Sequence, residues 1–255
     1  MSAAVEIHRP GLRAWRTLVV CEAKMVARDT AGLIVPLGLP LLILLMSSSG
    51  ATAQVVQNGR TALEVFVLPL ALTIVIAMIA IVNMPSFLAS YRRTGILRRL
   101  AVTPASPALV LVAQLIVSLI QAALGIGLAI AVAVLAFGAR APENMGAAIG
   151  SFLLASLAMY SMGMVVASVA PTPNSAVAIG LVAFFALGAL GGMFGGPNSL
   201  PEALETVGHV LPFGGAVQSL GAAWVGAPLE MAPLIGMVVT TVLGFGISAT
   251  LFRWE

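Results

Sequence analysis

The chain has 255 residues, of which 60% are hydrophobic and only 8% charged, with a mean hydropathy of +1.09. A water-exposed surface needs roughly a quarter of the residues charged, so this composition excludes a soluble globular domain and requires an integral membrane protein. The net charge of +3 and pI near 9.8 do not indicate nucleic acid as a partner, because the basic residues are confined to short inserts between apolar runs.

Residues 1–30 carry Arg9, Arg13, Arg16, Lys24 and Arg28. They show no compact apolar core followed by a small-residue cleavage site, so the first apolar run is expected to stay as an anchor. At about 100° per residue, residues 9–28 make an amphipathic helix. Leu12, Trp15, Leu18, Val19, Met25 and Val26 share one arc and the five basic residues the opposite one. Glu22 falls inside the apolar arc, which plain lipid contact does not explain. The pattern fits an interfacial helix on anionic lipid, and also one whose basic face meets a partner protein.

Six apolar runs follow, at about 30–49, 64–89, 107–137, 146–170, 174–195 and 230–251. A helix needs roughly 20 apolar residues to cross the hydrocarbon. The runs are continuous rather than alternating, so they read as helices and not barrel strands. The expected fold is all-α, a single transmembrane domain over 1–255. Pro36 and Pro40 predict a bend in the first span. With the N-terminus inside, ten of the twelve basic residues lie on the cytoplasmic side, leaving Arg60 and Arg140 outside. The expectation is therefore a multi-pass protein of the plasma (inner) membrane with both termini cytoplasmic.

The insert between the second and third spans, "SYRRTGILRRLAVTP", places four arginines within eight residues. Residues 90–104 predict a short cytoplasmic helix closed by Thr103-Pro104. Ile96, Leu97 and Leu100 fall on one arc; Arg92, Arg98 and Arg99 lie mostly off it, and Arg93 sits among the apolar residues. An apolar ridge flanked by charge suits a groove on another protein, while a basic loop that only sets topology is the plainer alternative.

Further along, Gly188, Gly192 and Gly196 repeat every four residues at the end of the fifth span, beside Phe184, Phe185 and Phe194. Small residues at this spacing let helices approach closely in lipid, as a dimer seam, a pathway wall or an internal seam. Gly236, Thr240, Gly244 and Ser248 form a similar strip in the last span, where an internal seam is the simpler reading. The external segment 197–226 should start a helix at Ser199-Leu-Pro-Glu202 through a capping box and stop it at Pro212. A second apolar stretch, Phe213 to Trp224, is too short to cross. Trp224 could anchor at the headgroups, and His209 is expected to be a wetted interfacial residue.

No catalytic, cofactor or metal residues are predicted. The single lysine, Lys24 in "EAKMV", follows no glycine loop, so no Walker-type nucleotide site is expected. His8 and His209 both lie outside the spans, which argues against intramembrane hydrolysis or a metal centre. All nine carboxylates sit at or outside span ends. A proton-driven carrier would keep some inside, so energy is expected to come from elsewhere.

The insert resembles the cytoplasmic coupling segment of type-2 ABC exporter permeases, and most closely that of the drug-resistance subfamily that includes the daunorubicin exporters. Gly95, Leu97, Leu100, Thr103 and Pro104 match the pattern. Ser90-Tyr91-Arg92-Arg93 departs from it, carrying no acid where the family commonly has glutamates. The resemblance covers the amphipathic helix, the six spans and the external segment. It implies short external re-entrant helices, a second permease copy, as a homodimer, and two separate ABC ATPase subunits that hold ATP and Mg. The ATPase-coupling residues would be Arg92, Arg93, Ile96, Leu97, Arg98, Arg99 and Leu100. Gly188, Gly192, Gly196, Phe184 and Phe185 would form the dimer seam or pathway. The implied cargo is a hydrophobic or amphipathic small molecule, with antibiotic resistance the associated role. Lipid or glycan export, or an ion-coupled carrier, are the alternatives.

Overall fold

The computed structural model describes residues 11–52, 54–95, 107–195 and 200–251. The chain begins with α1 (Leu12–Arg28) and α2 (Thr30–Ala51), followed by a hairpin of β1 (Val55–Gln57) and β2 (Arg60–Thr61). Its turn, Asn58-Gly59, has positive φ at both residues, as a tight hairpin turn demands. A composite helix, α3 (Leu63–Arg93), comes next. Then follow α4 (Pro107–Phe137), α5 (Met145–Val169), α6 (Pro173–Leu190), α7 (Glu202–Val210), α8 (Pro212–Val225) and α9 (Met231–Leu251). Among the described residues, six helices, α2 to α6 and α9, are long and apolar enough to cross a membrane. The protein is thus an all-α polytopic membrane protein with one small hairpin.

α3 is the core. Almost all of it is buried, while α2, α6 and α9 expose most of their length. Two stretches of α3 are π-helical, Leu63–Val67 and Met78–Asn83, and each is followed by a proline in the next turn, Pro69 and Pro85. Proline has no N–H to return to the carbonyl four residues back, and a wider turn absorbs the break. Leu68 N–H reaches back to Leu63, and Met84 N–H to Ile79, each five residues away. The carbonyls that Pro69 and Pro85 would have paired, Val65 and Ile81, turn toward glycines of neighbouring helices. A methyl group added at Gly221 of α8 would fall 2.4 Å from the Val65 oxygen, and one at Gly180 of α6 2.5 Å from the Ile81 oxygen. At Gly163 of α5 it would meet the Ala80 oxygen at 1.9 Å. No side chain fits at these crossings.

Pro36 in α2 creates the same problem for the carbonyl of Gly32. Here side chains solve it: Gln121 of α4 donates Nε2 at 2.7 Å and Asn83 of α3 donates Nδ2 to that oxygen. The Gly32 N–H in turn donates to Asp29 Oδ1 at 3.0 Å, capping the start of α2. A methyl group at residue 32 would lie 2.5 Å from that carboxylate. One glycine therefore ties α2, α3 and α4 together.

The last span packs along α5. Gly244 faces Ser161, whose Oγ lies 3.1 Å from the Thr240 carbonyl, and Gly236 faces the Val210 carbonyl of α7. Its small-residue strip is an internal seam.

The Gly32 junction makes a non-additive pair. Gln121→Met or Asn83→Leu alone should cost about 0.5–1 kcal/mol, because the other donor remains. Together they should cost more than the sum, about 2 kcal/mol or above, because the carbonyl is then unpaired in an apolar medium. Unfolding curves of the purified protein and its three variants measure the difference.

Candidate functional site

The basic end of α3 carries "SYRR". Tyr91 is buried, and its hydroxyl donates to the Glu22 carboxylate of α1. Glu22 is 5% exposed, so the acid on the apolar arc is the one that fastens α1 to α3. Burial pushes its carboxyl above the ordinary value, and the Tyr91 hydrogen bond pulls part of that shift back. Arg92 turns toward α5, where Nη2 donates to the carbonyls of Ala167 and, at 2.7 Å, Ala170. Pro171 cannot supply an N–H to Ala167, so Arg92 fills a gap of the same origin as that at Gly32. It also places a cation at the negative end of a helix. Arg93 is exposed. Thr94 and Gly95 turn the chain, with Gly95 at φ 69°. Ile96, Leu97, Arg98, Arg99 and Leu100 lie outside the described residues.

The residues singled out on the fifth span separate. α6 ends at Leu190 rather than 195, because Gly191 caps it and Gly192 takes φ 81°. Gly188 is buried against Met193, and a methyl there would lie 2.8 Å from its sulfur. Phe184 is fully buried, edge-on to Phe185 and Phe213. Phe185 faces outward and stacks on exposed Phe194. Gly188 and Gly192 therefore do not share a helical stripe, and Gly196 lies outside the described residues.

At the opposite end of the bundle an ion cluster closes the structure, with Arg60 and Glu64 buried and Arg140 and Glu143 exposed. Arg60 bridges Glu64 at 3.1 Å and Glu143 at 3.0 Å. Glu64 also accepts the Arg140 N–H at 2.7 Å and the Thr61 N–H at 3.0 Å. Trp224 is 4% exposed and donates Nε1 to the Arg140 carbonyl at 3.1 Å, so it is a core residue and not a headgroup anchor. Asn58 adds a bond to the Val225 carbonyl. Sequence reading treated Arg60 and Arg140 as topological charges. The acids at 64 and 143, close to each apolar run, were the signal that they pair.

α7 starts at Glu202 with Pro201 as its N-cap, and Ser199 of the expected capping box lies outside the described residues. Pro212 separates α7 from α8, as the sequence requires. His209 is exposed, 3.7 Å from Glu205.

A polar row also lies inside α4, within an apolar run that carries no motif. Gln114, Ser118 and Gln121 are all buried, and their spacing of four and three residues puts them on one face. Among the described residues, no group of three or more His, Cys, Asp and Glu could hold a metal ion.

Residues 46–251 fit the family described as ABC-2 family transporter protein. No curated protein matches the chain.

The buried Glu22 makes a signed pH prediction. A carboxyl whose folded pKa is raised adds stability that is full below its unfolded value, near 4.5, and is lost as pH rises through the folded value. Glu22→Gln, which keeps the shape and stays neutral, should match the wild type at low pH. It should then become the more thermostable as pH rises, with the gap levelling off once the wild-type carboxyl has ionised. Melting temperatures of the two proteins across a pH series test this.

Proposed function

The chain belongs to the ABC-2 transporter family, and from that premise we propose that it is the permease subunit of an ATP-driven exporter. Family membership implies association with ABC ATPases in general. In our reading two such subunits bind a permease homodimer, and ATP and Mg reside in them. This chain hydrolyses nothing. The orientation is the one set by the basic residues, with the α1 end of the bundle in the cytoplasm of a plasma membrane protein. The cargo is a hydrophobic or amphipathic small molecule carried outward, and antibiotic resistance is the physiological role that fits such a cargo.

The observation that carries this reading is α3. It runs as one buried helix from Arg93, beside the basic insert, to Leu63 at the far end. Force applied to residues 96–100 enters a rod that is fastened to α1 by Tyr91 and to α5 by Arg92. Within the coupling set, Arg92 fixes the base of the segment. Arg93, Ile96, Leu97, Arg98, Arg99 and Leu100 meet the ATPase. For the second permease copy, the outward Phe185 and Phe194 of the fifth-span region are the contact residues on the described surface. Gly188 and Phe184 support them from within.

Leu97→Asp, or reversal of both Arg98 and Arg99 to Glu, should lower co-purification of the ATPase subunit by tenfold or more while the chain still inserts and dimerises. Undiminished association would refute the coupling assignment. Transport by the chain reconstituted alone under a pH gradient would refute the exporter reading.

A further inference from the structure

α1 is held to the bundle along one arc. Leu18, Val19 and Met25 pack against the core, and Val26 is buried within it. Glu22 lies in the middle of that arc and is equally buried. Its carboxyl accepts from the Tyr91 hydroxyl, which also approaches Met25 Sδ at 3.8 Å.

A buried carboxylate ordinarily keeps a cation beside it. Among the described residues none faces Glu22. α2 and α4, against which α1 lies, contain no ionisable residue. On α3, Arg92 turns to the carbonyls of Ala167 and Ala170, and Arg93 is exposed. Arg16, Lys24 and Arg28 of α1 itself are exposed on the opposite arc. Asp29 accepts the Gly32 N–H. Glu22 thus has a neutral donor and no counter-charge, an arrangement that suits the protonated acid and penalises the carboxylate. The helix is also free to leave: Asp29 alone separates α1 from α2, and its ψ of 90° breaks the helix at that residue.

We propose that Glu22 is a proton-operated latch, with α1 docked on α3 and α4 while the carboxyl is protonated and loosened as it ionises. Burial holds this carboxyl above its ordinary value, near 4.5, to which it returns once α1 has left the bundle. Docking is therefore tightest below the ordinary value, weakens as pH rises through the docked one, and levels off above it. The carboxyl is bonded to the residue next to Arg92, so acid tightens the base of the coupling segment and alkali loosens it.

Hydrogen exchange of the full chain in lipid nanodiscs across a pH series measures the latch, and it needs no ATPase, so the result stands apart from the export reading. At each pH, comparison with Glu22→Gln cancels the intrinsic pH dependence of exchange. Amides of residues 12–28 should be equally protected in the two proteins at the acid end. At the alkaline end they should exchange several-fold faster in the wild type, while α5 and α9 stay level. Tyr91→Phe removes a donor that favours the carboxylate, so its protection should go on falling to a higher pH before it levels off. A spin label on Cys21, exposed and the single cysteine of the chain, should gain mobility over the same range in the wild type and not in Glu22→Gln. Equal exchange in wild type and Glu22→Gln at every pH overturns the proposal. So does a difference shared evenly by α5 and α9, which marks a general loss of stability. If Glu22→Gln fails to fold, the wild-type label decides, and mobility independent of pH overturns the latch.

Discussion

Inside a bilayer no water is present to pair a stray backbone carbonyl, so a proline within or just after a span leaves a carbonyl that a neighbouring element can meet. Four prolines set the plan of this protein. Pro36 frees the carbonyl of Gly32, and Gln121 and Asn83 answer it from two other helices. Pro171 frees that of Ala167, and Arg92 answers it from α3. Pro69 and Pro85 fall within α3 itself, where the helix widens into π turns. The side chains that respond all belong to α3 or α4, which helps explain why α3 occupies the centre.

The π turns also explain the glycines. A widened turn pushes carbonyl oxygens out from the helix, and a neighbour can pack there only without a Cβ. Gly221, Gly180 and Gly163 stand at those places on three different helices. Glycine is read most readily from such a sequence as a dimer motif, since small residues at a spacing of four favour helix pairing. In this chain the same chemistry serves internal crossings, and the Gly188–Gly192 spacing is interrupted by the end of α6.

The spans were legible because length and hydropathy are properties of single segments. The basic end was legible because arginines are scarce. Glu22 announced itself as an acid on an apolar arc, although only the fold could supply Tyr91 as its partner, 69 residues away. The Asn58-Gly59 turn and the Pro69 and Pro85 breaks were present in the sequence as local signals of hairpin and widened helix. What was not legible is convergence. Nothing in the sequence places Gln121 opposite Gly32, or Trp224 under Arg140, because those contacts depend on how helices cross. The polar row of Gln114, Ser118 and Gln121 lies between these extremes: its spacing is visible and its target is not.

The polar ties also decide which helices can move together. α3 is joined to α5 at the basic end through Arg92, and to the α4–α5 connection at the far end through Arg60, Glu64 and Glu143. Polar contacts thus hold α3 to α5 at one end and to the α4–α5 connection at the other. The seam of Ser161, Thr240 and Gly244 joins α9 to α5. α6 meets α3 differently, through Gly180 and apolar side chains such as the Ala89, Ala170 and Ala176 cluster. Apolar surfaces that slide past one another break no hydrogen bonds. The contacts of α6 with α3 are thus packing contacts. Phe184 and Phe213 face each other on the inner side of α6, and Phe185 and Phe194 cover its outer side. A displacement of α6 would change both faces at once, coupling the subunit's interior to whatever lies against its exposed side.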